Sequence, residues 1–225
     1  MKYVQYWLLF CCAALANPII VYDDVREVQM THEDVVLDVS VHTTAVSGDY
    51  TFAQLAATTP KDEFVRILVP VYVQKDADLK LADMKRIYTP RLIVSGTSYD
   101  ATDVSYGGDR WKSWWRGAEF HLAAFEFVVP RRVLAQQFHL RIEYQQPHML
   151  ARGERYTCYC PFRPHIKNPA YRDVPDGEFT LRVVPSSGVK IKRVSTNQKV
   201  QSEGSAGIVI HCLHREHIIV KVENA

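Results

Sequence analysis

The sequence predicts an all-β protein, an antiparallel β-sandwich built as two packed sandwich-like units with at most one short helix. Three observations predict it. Apolar and polar residues alternate with a period of two in one stretch after another: Val35, Leu37, Val39 and Val41; Val65, Ile67, Val69, Val71 and Val73; Phe138, Leu140, Ile142 and Tyr144. About ten or eleven such stretches recur at roughly 10–20-residue spacing, with turn residues between them. One stretch, Phe120 to Val129, is apolar on both faces, interrupted only by His121 and Glu126, and reads as a central strand covered on both sides.

In chain order, residues 17 to 31 form a polar, acidic lead-in without a clear period. A strand follows from Asp34 to Val41, and a second carries Val46, Tyr50 and Phe52 with a break expected at Gly48. In the strand from Phe64 to Val73, Pro70 cannot donate a ladder hydrogen bond and marks a sheet edge or a bulge. Leu79, Ala82, Met84 and Ile87 follow a loose helical stripe, predicting a short helix or a charged loop within 76–89. Arg91 to Val94 is a short strand closed by the turn Ser95-Gly96-Thr97. After the central strand, Phe138 to Gln145 is the cleanest amphipathic strand in the chain. Residues 161 to 176 hold four prolines and read as a wrapping loop. Strands at Phe179–Val184, Val189–Lys192, Ile208–Leu213 and Ile218–Val222 complete the set, the last two forming a pair joined through His214-Arg215-Glu216-His217. Composition and charge shift near residue 146, which places a β-sandwich domain at 17–146 and a smaller β domain at 147–225.

The first sixteen residues, MKYVQYWLLFCCAALA, carry one Lys, a short apolar run and a small-x-small ending at Ala14-Leu15-Ala16. That run falls short of the about 20 residues a membrane span needs. The pattern predicts an export signal at 1–16, a secreted or periplasmic mature chain, and no transmembrane segment after cleavage. Residues 17–146 hold 14 Lys/Arg against 18 Asp/Glu, and residues 147–225 hold 12 against 7. This near balance gives no strong pull toward nucleic acid, which is not expected as a partner.

The order of Tyr50-x-Phe52, Val69-Pro70, Arg141-x-Glu143-Tyr144, Tyr159-Cys160-Pro161 and the Phe179–Val184 strand is similar to uncharacterised exported bacterial β-sandwich families. The resemblance covers about half of the chain and implies a β-sandwich and export. It implies no catalytic residues.

Interaction chemistry concentrates between Tyr106 and Arg116. Trp111, Trp114 and Trp115 are the only tryptophans beyond the leader, and they sit among Asp109, Arg110, Lys112 and Arg116. Aromatic rings beside charged groups suit a sugar face or a protein partner, because Trp, Tyr and Arg dominate interface hot spots. Against this stands the high average burial of tryptophan, which makes the same rings a lid over the core. Tyr106, Trp111, Trp114, Trp115 and Arg116 are the candidate binding residues, for a protein or glycan whose identity the residues do not encode.

Cys158, Cys160 and Cys212 are the candidate disulfide residues of an exported chain. Residues two apart in a strand are roughly 6.5–7 Å apart at Cα, at the limit for a bridge, so Cys212 is the freer partner for either of the other two. Buried free thiols are the competing reading. His211, His214 and His217 lie near Cys212, and with Cys158 and Cys160 they compose thiolate–imidazole chemistry that zinc accepts. Their spacing matches no zinc signature, so neither a metal nor a cofactor is expected. No nucleophile elbow, phosphate loop or dinucleotide glycine pattern occurs. The expectation is a non-enzymatic exported binding protein. The alternatives are a metal-dependent or hydrolytic envelope enzyme using the Cys/His cluster, and a purely structural module of an envelope assembly. The oligomeric state is not encoded legibly.

Overall fold

The computed structural model of the protein describes residues 19–21, 28–54, 63–74, 80–106, 120–134, 137–151, 153–159, 178–195, 199–202, 207–212 and 218–224. These carry strands β1 (Ile19–Val21), β2 (Val28–Val39), β3 (Thr43–Gln54) and β4 (Phe64–Gln74), and then helix α1 (Leu81–Tyr88). Strands β5 (Arg91–Val94), β6 (Thr97–Asp100), β7 (Asp103–Tyr106), β8 (Phe120–Pro130), β9 (Gln137–Pro147), β10 (Met149–Ala151) and β11 (Glu154–Tyr159) follow. The last are β12 (Glu178–Pro185), β13 (Val189–Ser195), β14 (Lys199–Ser202), β15 (Ile208–Cys212) and β16 (Ile218–Asn224). The protein is all-β with one α-helix among the described residues.

The strands form three sheets, ordered β1-β4-β8-β7, β10-β11-β16-β13 and β14-β15-β12-β2-β3-β9-β5-β6. Every pairing is antiparallel except β12 with β2, which run parallel from Glu178↔His32 to Pro185↔Val39. Ser186 extends that seam, its backbone N–H and its hydroxyl both donating to the Val39 carbonyl at 2.9 and 3.0 Å. Ladder hydrogen bonds of the eight-stranded sheet thus join residues on both sides of position 146.

One buried apolar cluster draws on all three sheets. The eight-stranded sheet contributes Val35, Leu37, Phe52, Phe138, Leu140, Leu181 and Ile210; the other two contribute Ile67, Val69, Phe125, Phe127, Val220 and Val222. Phe52 and Phe138, directly opposed on β3 and β9, stack with ring centroids 5.3 Å apart. β8 lies between β4 and β7, a central strand as expected, with Phe125, Phe127 and Val129 fully buried on one side; the other side is not covered throughout, for Ala124 is buried but Glu126 and Val128 are half-buried beside exposed Arg66.

The expected break at Gly48 does not occur: β3 runs through it without interruption. The reason is local. The Tyr50 ring folds back over the glycine, so that a Cβ at position 48 would meet the ring's Cε2 and Cζ at 2.7 Å. Gly48 makes room for a buried aromatic ring instead of ending the strand. Pro70 sits inside β4, which β1 covers only from Arg66 to Leu68, so Pro70 lies beyond the paired stretch, on a bare edge of the described sheet.

The ambiguous stretch 76–89 contains α1. Asp83 in its first turn and Lys85 and Arg86 in its last complement the helix dipole, and Thr89 ends it in the left-handed conformation before Pro90. Buried Met84 and Tyr88 anchor it, with the Tyr88 ring edge-on to Phe125 at 6.0 Å. The helix packs against β9 and β7, and so touches two of the sheets.

The last two strands are not a hairpin. β15 pairs with β12 and β14, whereas β16 pairs with β11 and β13 in a different sheet. His214-Arg215-Glu216-His217 holds no glycine or asparagine for the tight turn a hairpin needs. By contrast, Ser95 and Gly96 both have positive φ, 47° and 84°, and close the β5–β6 hairpin as expected.

Candidate functional site

The candidate site grows from the core-facing side of β9. Phe138, Leu140, Ile142 and Tyr144 line that side, and the same phase continues into Gln146 and, just past the strand, His148. Apolar residues thus give way to polar ones on an unchanged face. Opposite Gln146 on β3 stands Thr44, fully buried, and the His148 backbone N–H donates to the His42 carbonyl at 3.1 Å. The β3–β9 ladder therefore delivers Thr44, Gln146 and His148 to one end of the core.

Their hydrogen bonding is incomplete. Thr44 Oγ1 and His148 Nε2 are 3.1 Å apart. Among the described residues, the buried Gln146 Nε2 and Tyr144 Oη have no hydrogen-bond partner. Arg155, from β11 of the neighbouring sheet, reaches over and donates from Nη1 to the Val41 carbonyl at 2.8 Å. Burial, then the Arg155 guanidinium, then His42 hold the His148 imidazole below its usual pKa, so it is neutral near pH 7; a backbone hydrogen bond at Thr43 opposes them. Burial, with Tyr88 beside it, pushes the Tyr144 phenol above its ordinary range, so it keeps its proton. The result is a polar end to an apolar core, with a guanidinium beside a neutral imidazole.

The opposite, solvent-facing side of the same sheet carries ordinary surface chemistry. Arg141 contacts Glu143 at 2.8 Å and Asp49 at 3.9 Å, and Arg91 contacts Glu143 at 3.9 Å, all partly exposed. Such pairs contribute little. On the β10-β11-β16-β13 sheet, Lys221 and Tyr156 both bond the Glu154 carboxylate, in that order lowering its pKa, and Lys192 pairs with Glu223.

The residues singled out in the sequence are placed as follows. Trp111, Trp114, Trp115 and Arg116 lie outside the described residues, and Tyr106 is the last residue of β7. The strands on either side of that aromatic segment pair with each other, β7 with β8 from Asp103↔Glu126 to Tyr106↔Ala123. Cys158 lies on β11 beside Ile219, and Cys212 lies on β15 beside Phe179, so these two cysteines belong to different sheets. Cys160, His214 and His217 are outside the described residues. Among the described residues no three His, Cys, Asp or Glu side chains group as metal ligands, and no helix is long and apolar enough to cross a membrane. Gln146 and His148 were not singled out in the sequence. Their signal was the polar continuation of an apolar alternating phase.

Neither a family model nor a curated protein matches the chain. Solved structures do. A Legionella pneumophila protein described as a candidate nutrient-binding protein aligns with a TM-score of 0.59 at 12% identity, over 94% of this chain and 71% of its own. Leukotriene A4 hydrolase from Saccharomyces cerevisiae aligns with a TM-score of 0.45 at 11% identity, over 88% of this chain and 30% of its own. An M1 zinc metallopeptidase from Deinococcus radiodurans aligns with a TM-score of 0.34 at 14% identity, over 88% of this chain and 42% of its own. At these identities the likeness to the Legionella protein is one of fold.

Proposed function

We propose that the protein is a secreted or periplasmic binding protein without catalytic activity, engaging a protein or glycan through Tyr106, Trp111, Trp114, Trp115 and Arg116. The observation that carries this reading is the antiparallel pairing of β7 and β8, the strands that flank the Trp-rich segment, in a sheet that shares the core. Binding segments are characteristically loops set on a rigid scaffold, and Trp, Tyr and Arg are the side chains that dominate such contacts. The leader at 1–16 supports export. The candidate nutrient-binding description of the Legionella fold neighbour accords with a binding role.

The test is affinity capture from envelope extract and on a glycan array, using mature wild-type chain and a Trp111→Ala/Trp114→Ala/Trp115→Ala variant with the same thermal stability. A ligand retained by the wild type and lost by the variant supports the proposal. Equal retention by both places binding elsewhere and sinks the aromatic-segment reading, as does the absence of any retained ligand.

A further inference from the structure

The chain passes between two sheets at a single residue. β9 ends at Pro147 in the eight-stranded sheet, β10 begins at Met149 in the β10-β11-β16-β13 sheet, and His148 alone lies between them. Two hydrogen bonds fasten this crossing to adjacent carbonyls of the β2–β3 turn. The His148 N–H donates to His42 at 3.1 Å, and Arg155 Nη1 donates to Val41 at 2.8 Å. Arg155 comes from the far sheet, opposite Leu150 on β10 and buried Val222 on β16. It is half-buried, so a rotation of its long side chain exchanges that carbonyl for water. The His148 ring is fitted to carry no charge here. Its one N–H faces the Thr43 backbone, and Nε2 accepts from the fully buried Thr44 hydroxyl at 3.1 Å. A second proton on Nε2 turns that acceptor into a donor and leaves the Thr44 hydroxyl proton without its partner. It also sets an imidazolium beside a guanidinium. Among the described residues, the charged or titratable groups acting on the ring are Arg155 from β11 and His42 from the β2–β3 turn, and both oppose its protonation. β3 supplies Thr43 and Thr44 here and β9 supplies Gln146, all uncharged.

We propose that His148 and Arg155 form an acid-released latch between the two sheets: protonation of His148 drives the Arg155 guanidinium off the Val41 carbonyl and parts the β9–β10 crossing from the β2–β3 turn. The latched form binds this proton more weakly than the released form, so acid favours release. Between the pKa values of the two forms, the release equilibrium rises by up to about tenfold per pH unit. Release is local, because Val189, Val220 and Val222 of the same sheet stay in the shared core. The latch is independent of the aromatic segment, which lies in the β7–β8 connection of another sheet.

The test is amide hydrogen exchange of the folded protein by NMR between about pH 5 and 7.5, across the titration range of histidine. Each rate is divided by its intrinsic rate at that pH, and the amide of residue 148 is compared with those of Phe125 and Phe127 at the centre of β8. In the wild type, protection at residue 148 is expected to fall as pH drops below about 6.5, by up to about tenfold per pH unit, while the β8 amides hold theirs. His148→Asn shows no fall. Arg155→Met is less protected at pH 7.5 and falls less on acidification. His42→Asn keeps the fall. The proposal is overturned by wild-type protection that does not change with pH, by a fall shared with β8, by a full-sized fall in His148→Asn or Arg155→Met, or by its loss in His42→Asn. Should the variants fail to fold, the wild type decides alone: a fall confined to residue 148 supports the latch, and a shared or absent fall overturns it.

Discussion

Gly207→Ala tests the seam on which the eight-stranded sheet depends. Gly207 is buried just ahead of β15, with φ at 123°, a region that side-chain-bearing residues rarely adopt. A Cβ there would press into the Val183 carbonyl oxygen, with the carbonyl carbon at 3.2 Å and Val184 Cα at 3.3 Å. Those atoms are backbone of β12, which is hydrogen-bonded to β15 on one side and to β2 on the other, so it cannot yield as a side chain would. Strain at such a φ costs about 1–3 kcal/mol, and forcing an atom into packed space costs about 1–3 kcal/mol. The expected destabilisation is about 4 kcal/mol, the middle of their combined range. At about 2–4 °C per kcal/mol for a chain of this size, melting falls by about 8–16 °C. Gly188→Ala is the control: its φ is 81° but no atom lies within 4 Å of the added Cβ, so only the backbone strain remains. Urea denaturation and thermal scans of both variants measure the difference. Equal losses, or a Gly207→Ala change below about 0.5 kcal/mol, the range of an ordinary surface substitution, would refute the close approach of β15 to β12.

Three further outcomes follow from the same contacts. Gly48→Ala displaces the buried Tyr50 ring and lowers stability by about 1–2 kcal/mol; Gly48→Ala/Tyr50→Leu relieves the clash, so the two changes are non-additive in a double-mutant cycle. Burial holds the His148 pKa in the folded state below its ordinary value of about 6.5, so its contribution is fully present above about pH 6.5 and is lost as pH falls through the lower folded value; His148→Asn flattens this part of the pH–stability curve, and an unchanged acid limb contradicts the assignment. A chain ended after Pro147 lacks β12 and leaves the twelve-residue β2 without its parallel neighbour; the bare edge predicts aggregation in size-exclusion chromatography, and a folded monomer would contradict it.

Much of the fold was legible where a strand was long enough to show its period. β2, β4 and β9 each run 11 or 12 residues, and their alternation named the buried face. β1, β6, β7, β10 and β14 span only 3 or 4 residues, too few for a period, and exist because a neighbouring strand offers an edge. Partner choice was not legible either. Alternation along β12 says which side is buried but not that its neighbour is β2, far away in sequence and parallel. Tyr50 over Gly48 is a contact of the folded strand, so the glycine alone read as a break. At the site, Tyr144 read as one more apolar position, and Gln146 as the start of a polar connection. Only the ladder to Thr44 shows that its phase is that of the core.

The aromatic segment is tested most directly by the protein's own fluorescence. Trp7 lies in the proposed leader, so in a chain that starts at Asn17 every indole belongs to that segment: Trp111, Trp114 and Trp115. Emission spectra and acrylamide quenching of the folded, mature protein therefore report on this segment alone among the tryptophans. A binding surface predicts red-shifted emission and quenching close to that of the urea-unfolded chain, with both changing when ligand is added. Blue-shifted emission that resists quenching, unchanged by any retained partner, would show three indoles buried as a lid and contradict the proposed mode of binding.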